Sequence, residues 1–168
     1  GVRIGVAAAK GLAWGAELPC YGISTLEAMA RTVASPQKVV CAVMDARRNQ
    51  VYNALFSKEA ALQRLTEDRA IAMEELAQEL VQYEGTKYLI GDGAALCYEM
   101  LKDQIPGLYL PPEPYRHQRA SGVALAAEAL ALAGVPAPAA ELVPNYLRLS
   151  QAERERLARL QQEKGANK

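Results

Sequence analysis

Two neighbouring arginines, Arg47 and Arg48, are the side chains in this chain best suited to bind an anion. They lie between two segments rich in Val, Tyr and Phe, and Asp45 precedes them with a carboxylate that can brace a turn through its backbone. A guanidinium presents a planar fork of donors that fits a carboxylate or a phosphate. The pair is therefore a candidate contact for an anion or a partner, and a solvated turn explains it equally well.

A second candidate is the glycine turn Gly91-Asp-Gly93, which follows a predicted strand and opens a predicted helix. Backbone N–H groups at such a position can hold a phosphate. The turn lacks a GxGxxG pattern and a Walker lysine, and the carboxylate of Asp92 would repel a phosphate. A plain strand-to-helix turn is the better interpretation, and weak nucleotide binding here stays open.

The chain offers no complete set of catalytic side chains. Ser24 and Thr25 could act as nucleophiles only beside a base, and the one histidine, His117, lies in a polar loop. Ser24 is better interpreted as a helix cap. We therefore predict no catalytic residue, no metal ligand and no bound cofactor.

The composition is that of a soluble globular protein of 168 residues, with 51% hydrophobic and 23% charged residues. No apolar run reaches the ~20 residues that a membrane span needs. Nineteen basic residues balance nineteen acidic ones, so the surface has no general attraction for nucleic acid or membrane. Cys20, Cys41 and Cys97 stand far apart in apolar surroundings, as reduced thiols of a cytoplasmic protein would.

Hydrophobic periodicity and turn residues predict an α/β fold. The expected helices and strands follow one another along the whole chain. They are a helix over 2–14, a strand over 20–23, a helix from the capping residue Ser24 to about Ala34 that is ended by Ser35 and Pro36, a hairpin of strands 38–45 and 50–57 around the turn 46–49, strands over 62–67 and 69–72, a helix over 73–83, a strand over 87–90, a helix over 94–102, a strand over 108–110, a helix over 121–133, and a tail helix that opens at Ser150 and frays over 165–168.

The first predicted helix is almost entirely apolar, because only Arg3 and Lys10 are strongly polar and they share one narrow stripe. Such a helix is expected to be buried, pressed on a sheet. The alternative adds a partner helix along a stripe of small residues, which gives a candidate interface. That interface comprises Val2, Gly5, Val6, Ala9 and Ala13. Because the chain opens on Gly1 and enters a helix at once, we expect it to be shortened at its N-terminus.

Four ordered motifs resemble the bacterial TsaB (YeaZ) family. They are residues 1–19, Gly22-Ile-Ser-Thr-Leu26, Met44-Asp-Ala-Arg-Arg-Asn-Gln-Val-Tyr52 and Pro144-Asn-Tyr-Leu-Arg-Leu-Ser-Gln-Ala-Glu-Arg154. The resemblance implies an actin-like (ASKHA, RNase H-like) α/β fold of two lobes. Residues 1–35 would be the remnant of an incomplete first lobe, 36–148 the C-terminal α/β lobe, and 149–168 a C-terminal helix and tail.

The resemblance also implies a function, that of a cytoplasmic accessory subunit. Such a subunit pairs with the catalytic subunit TsaD and, with the ATPase TsaE, supports threonylcarbamoyl transfer to the adenosine of ANN-decoding tRNAs. The protein would contact tRNA only indirectly, through the complex, and would have no role at a membrane. Its docking surface would include the first helix, and the same surface could form a homodimer.

A comparison with catalytic relatives implies that this member is a pseudo-enzyme. Their His-Met-Glu-Gly-His metal motif aligns with Thr25-Leu-Glu-Ala-Met29, which lacks both histidines. Their glycine-rich phosphate hairpin aligns with Asp45-Ala-Arg-Arg48, whose Cβ atoms would obstruct a phosphate. Two alternatives stay open: a metal- or ATP-dependent enzyme of the same superfamily, TsaD-like or glycoprotease-like, and a degenerate nucleotide-binding module that uses the turn at Gly91.

Overall fold

A hairpin of two nine-residue strands forms the centre of the sheet. The computed structural model describes residues 1–34 and 36–148, apart from the side chain of Lys38. Strand β1 (Gln37–Asp45) and strand β2 (Gln50–Lys58) are antiparallel, with Cys41 opposite Leu55. This hairpin confirms the prediction made from its Val, Tyr and Phe content and its polar turn.

The remaining strands extend the hairpin into a mixed sheet. Strands β3 (Leu62–Arg64) and β4 (Arg69–Ala72) both pair antiparallel with β2. Strand β5 (Lys87–Ile90) lies parallel to β1, and β6 (Leu108–Tyr109) lies parallel to β5. The order across the sheet is β3-β2-β1-β5-β6.

Helices cover both faces of the sheet because successive side chains of β1 point to opposite sides. Val39, Cys41 and Val43 join the core that contains Leu76 and Leu80. These two leucines belong to helix α3 (Met73–Val81), and helix α4 (Ala94–Leu101) contributes to the same core.

The opposite face is covered by helix α2 (Thr25–Arg31), with helix α5 (Ala120–Leu132) packed on α2. The two helices cross closely at Gly122, where a Cβ atom would lie 2.1 Å from the carbonyl oxygen of Ala28. Glycine is required at this crossing because any side chain would strike the backbone of α2.

Local contacts moved several predicted boundaries. The cap at Ser24 is confirmed, since its Oγ accepts a hydrogen bond of 3.2 Å from the N–H of Glu27. Helix α2 ends at Arg31, earlier than predicted. Strand β3 also ends early, at Arg64, because the N–H of Leu55 donates to the side-chain oxygen of Thr66 at 2.8 Å.

The predicted strand over 20–23 is wrong. In the described part of the chain this segment pairs with no strand of the sheet, and its backbone bond runs from the N–H of Cys20 to the carbonyl of Ala137 at 2.9 Å. A short segment such as this one forms a strand only where a neighbouring strand is available to pair with it. The predicted tail helix from Ser150 lies outside the described residues.

Helix α1 (Val2–Gly15) forms as predicted, but the expectation that it is buried against a sheet is wrong. Val2, Ile4, Leu12 and Trp14 are 65%, 76%, 78% and 74% exposed, and only Ala13 of the helix is buried. Sequence periodicity reports that a helix is apolar, not which element covers it. Within the described residues, α1 packs mainly against the short helical turn Ala139–Glu141.

Candidate functional site

Helix α1 is held by residues 137–148, which we call the strap. Lys10 donates through Nζ to the carbonyl oxygens of Ala140 at 2.8 Å and Leu142 at 3.1 Å. Arg3 donates through Nε to the hydroxyl of Tyr146 at 2.8 Å, and its guanidinium lies 5.4 Å from the centre of that ring. The polar stripe of α1 therefore binds the strap, which leaves the other faces of the helix for other contacts.

A groove of about 620 Å³ lies between α1, the strap and the start of α2. Its walls are mostly apolar, and Met44, Tyr52 and Asp68 lie along it. Of the predicted interface, four residues line this groove: Val2, Gly5, Val6 and Ala9.

The small-residue stripe is only partly available. A Cβ atom on Gly5 would meet nothing within 4 Å, and Ala9 is exposed. Ala13, by contrast, is 8% exposed and is covered by the chain itself. Gly5 and Ala9 thus face open space, as a docking stripe must, whereas Ala13 packs internally. The partner itself stays a prediction.

The hairpin tip presents Arg47 and Arg48 to solvent, as predicted. Arg47, Arg48 and Asn49 all have left-handed backbone conformations, with φ of 61°, 55° and 59°. The predicted brace is confirmed, since the N–H of Arg47 donates to Oδ1 of Asp45 at 2.7 Å. Asn49 ties the tip to α3, because its carbonyl accepts from the N–H of Met73 at 3.1 Å. We call residues 45–49 the arginine turn.

A third arginine, which sequence reasoning did not single out, joins this turn. Nη1 of Arg148 donates to the carbonyl oxygen of Ala46 at 2.7 Å. Arg148 also lines the groove, so the strap connects α1 to the arginine turn. Its position in the Pro144-Asn-Tyr-Leu-Arg148 motif was the only signal in the sequence, and nothing local indicates its partner.

The glycine turn is built for packing within the chain. Gly91 has φ of 115°, and a Cβ atom there would lie 1.9 Å from the carbonyl oxygen of Val43. The N–H of Gly91 donates to the carbonyl of Arg116 at 2.7 Å, and the N–H of Gly93 donates to that of Val43 at 3.3 Å. Two of the N–H groups that a phosphate would need thus already donate to backbone carbonyls of this chain.

The other singled-out side chains have structural partners. His117 lies 3.2 Å from a carboxylate oxygen of Glu113 in the exposed loop.

Burial raises the pKa of the Cys41 thiol. Burial, and to a smaller extent the charge of Asp45, raises the pKa of the Cys97 thiol to about 12. Cys41 and Cys97 are buried as predicted, and Cys20 is only half-buried.

Within residues 25–29, where the metal motif would fall, Leu26 and Met29 are 2% and 1% exposed. The carboxylate of Glu27 pairs with Arg31 at 2.8 Å and with Arg64 at 3.1 Å. Across residues 1–34 and 36–148, no group of three His, Cys, Asp or Glu side chains could hold a metal ion. In that same part of the chain, no helix is long and apolar enough to cross a bilayer.

Comparison with known families and proteins agrees with this architecture. A family model described as "TsaD: tRNA N6-adenosine threonylcarbamoyltransferase" matches residues 1–166. The "tRNA threonylcarbamoyladenosine biosynthesis protein TsaB" of Bacillus subtilis is 30% identical over 155 residues, which cover 91% of this chain and 66% of that protein. The TsaB protein of Escherichia coli is 38% identical over 97 residues, 55% of this chain and 42% of that protein.

The chain therefore spans about two thirds or less of the length of these relatives. Its fold is shared with a crystal structure from Pseudomonas aeruginosa described as an uncharacterized protein with similarity to peptidase YEAZ. That structure has a TM-score of 0.69 and 22% identity, over 88% of this chain and 68% of that one. A second structure, YeaZ from Pseudomonas aeruginosa, has a TM-score of 0.63 and 19% identity, over 87% and 68%. With an actin-like α/β fold and a family model matched along 166 residues, the chain belongs to the TsaB (YeaZ) family, within the wider family that the transferase model describes.

Proposed function

We propose that this protein is a non-catalytic subunit in the biosynthesis of threonylcarbamoyladenosine in tRNA. It pairs with a TsaD-type catalytic subunit, works with a TsaE-type ATPase, and supports modification of the adenosine in ANN-decoding tRNAs. The names of its TsaB relatives support the pathway. The single structural observation that carries the pairing is the exposed apolar surface of α1.

Helix α1 exposes the kind of surface that a stable protein contact covers. Ile4, Leu12 and Trp14 are each more than 70% exposed, although water favours burying such side chains. Exposed aromatic and aliphatic side chains grouped on one element mark protein interaction sites. The open stripe at Gly5 and Ala9 adds a place where a partner helix can come close.

The non-catalytic role is supported by what occupies α2. An i, i+4 pair of histidines binds a metal from one helix face, and Thr25 and Met29 stand at that spacing here. The Met29 thioether is buried, and the one carboxylate of the segment, on Glu27, is paired with two arginines.

An enzymatic alternative has one observation in its favour, the name of the matched family model, which is that of a transferase. It requires the protein to form threonylcarbamoyladenosine by itself from tRNA and an activated threonylcarbamoyl donor. An assay of the protein alone, beside the mixture with TsaD and TsaE of the same organism, decides between the two. The accessory proposal expects product only in the mixture.

The pairing is tested by co-purification of the protein with a tagged TsaD of the same organism. Gly5→Leu and Ala9→Leu should abolish co-purification and reduce modified nucleoside in a strain that depends on the protein. A bulky side chain between close helices costs about 1 to 3 kcal/mol per site, which is roughly tenfold or more in affinity.

The matched control is Ala131→Leu, the same change at an exposed position of α5. It should leave pairing intact. Because a Cβ on Gly5 meets nothing within 4 Å, the α1 variants should keep the melting temperature of the parent. Full retention of the complex by both α1 variants would refute α1 as the docking surface. Light scattering on the parent and on the α1 variants, each without TsaD, tests for a homodimer through the same face.

A further inference from the structure

We propose that the arginine turn binds backbone phosphates of the tRNA when the protein is in its complex, with Arg47 and Arg48 as the phosphate ligands and Arg148 as the residue that positions the turn. This inference rests on the proposed function for the identity of the RNA. It differs from the expectation that the protein touches tRNA only indirectly.

The guanidinium groups of Arg47 and Arg48 have no hydrogen-bond or ion-pair partner in the part of the chain that the structure describes. Both residues are exposed. The two half-buried arginines of the sheet behave differently. Arg64 is paired with Asp68 at 2.6 Å, and Arg69 is paired with Glu79.

The backbone of the turn carries strain that glycine would remove. Arg47 and Arg48 adopt φ of 61° and 55°, in the left-handed region that costs an ordinary residue about 1 to 2 kcal/mol. Asn49 tolerates this region, but arginine has no such preference. Strain that is kept in a sharply defined exposed turn points to a role for the side chains themselves.

The turn is fixed from both sides, so its side chains project from a rigid base. The carbonyl of Ala46 accepts from Arg148, and the side chain of Asn49 donates to Glu74 at 3.3 Å. Asp45 accepts the N–H of Arg47. The carboxylates of Asp45 and Glu74 thus both accept hydrogen bonds from the turn. Arg148 adds a third guanidinium beside it.

An RNA phosphate is the occupant that this chemistry favours. Arginine forks match phosphate oxygens in a bidentate geometry. The chain as a whole is neutral, so it has no field to hold RNA by itself. Two local phosphate contacts matter when a partner supplies the rest of the RNA surface, which is the arrangement in the proposed complex.

The test measures tRNA affinity of the complex of this protein with its TsaD, over a series of salt concentrations. The double variant R47A/R48A should bind tRNA about tenfold more weakly, with a salt slope lower by about 2, because each arginine releases about one counterion equivalent. R47K/R48K keeps both charges and should retain most of the slope. The matched control K102A/R119A removes two exposed basic residues elsewhere and should change neither quantity.

The outcomes separate this inference from the proposed function. A complex of R47A/R48A that purifies normally and binds tRNA weakly supports both. Unchanged affinity and slope refute the phosphate contact and leave the pairing untouched. Loss of TsaD pairing by R47A/R48A, with R47K/R48K also unpaired, assigns the turn to a protein contact and overturns the inference.

Discussion

The guanidinium of Arg148 donates a 2.7 Å hydrogen bond to the carbonyl oxygen of Ala46, across 102 positions of the chain. This bond anchors the strap to the hairpin, while Lys10 and Arg3 anchor the other part of the strap to α1. Helix α1, the groove and the arginine turn are therefore parts of one connected surface.

Replacing Arg148 by alanine should lower the free energy of unfolding by about 1.5 to 3 kcal/mol, the usual contribution of a hydrogen bond to a charged group. Urea denaturation followed by circular dichroism measures the loss. The conservative variant R148K should recover part of it, because an ammonium can also donate to a carbonyl. Equal stability of parent and R148A would show that the strap does not depend on this bond.

Gly122→Ala should be strongly destabilising, by about 3 kcal/mol, because its Cβ would lie 2.1 Å from the carbonyl oxygen of Ala28 and force α5 away from α2. Gly11→Ala is the matched control. Nothing lies within 4 Å of a Cβ there, so better helix propensity should stabilise α1 by up to about 1 kcal/mol. Thermal unfolding of the two variants measures both stability changes. A melting temperature of Gly122→Ala equal to that of the parent would contradict the close crossing of α5 and α2.

Arg48→Gly should raise stability by about 1 kcal/mol, because glycine adopts the left-handed conformation at φ of 55° without steric cost. Arg47→Ala and Arg48→Ala should stay within ~0.5 kcal/mol of the parent, as exposed substitutions away from a core usually do. Melting temperatures of the parent and the three variants test this prediction, with Arg48→Gly expected to be the most stable. Unfolding of both alanine variants would contradict the exposed turn.

The buried thiol of Cys97 should make the protein less stable at alkaline pH. Its pKa is raised by burial to about 12 from the ordinary 9.0, so the unfolded chain releases this proton first. The stabilisation is complete below about pH 9 and is lost as the pH rises toward 12, with a slope of up to ~1.4 kcal/mol per pH unit. Burial also raises the pKa of the Cys41 thiol, so this residue contributes to the pH dependence in the same direction.

Urea midpoints at pH 8 and pH 10.5 in the parent and in Cys97→Ala measure this effect. The parent should lose more stability than the variant across that range. Cys20→Ser serves as the control because Cys20 is not buried, and its pH dependence should match the parent. A native-state thiol reagent should label Cys20 well before the other two cysteines.

Much of the secondary structure could be predicted from the sequence because its signals are local. The β1–β2 hairpin follows from two β-branched and aromatic runs around a polar turn, and the Ser24 cap follows from one hydroxyl three residues before Glu27. The arginine pair and its Asp45 brace were also visible, since all three residues lie within four positions.

The tertiary structure decided what no local pattern carries. It left large apolar side chains of α1 exposed, gave residues 20–23 no partner strand among the described residues, and brought Arg148 to Ala46. Each outcome depends on which distant element occupies the neighbouring space. Hydrophobic periodicity establishes that a helix has apolar faces and that a strand has two sides, but burial and long-range hydrogen bonds arise only when the chain closes on itself.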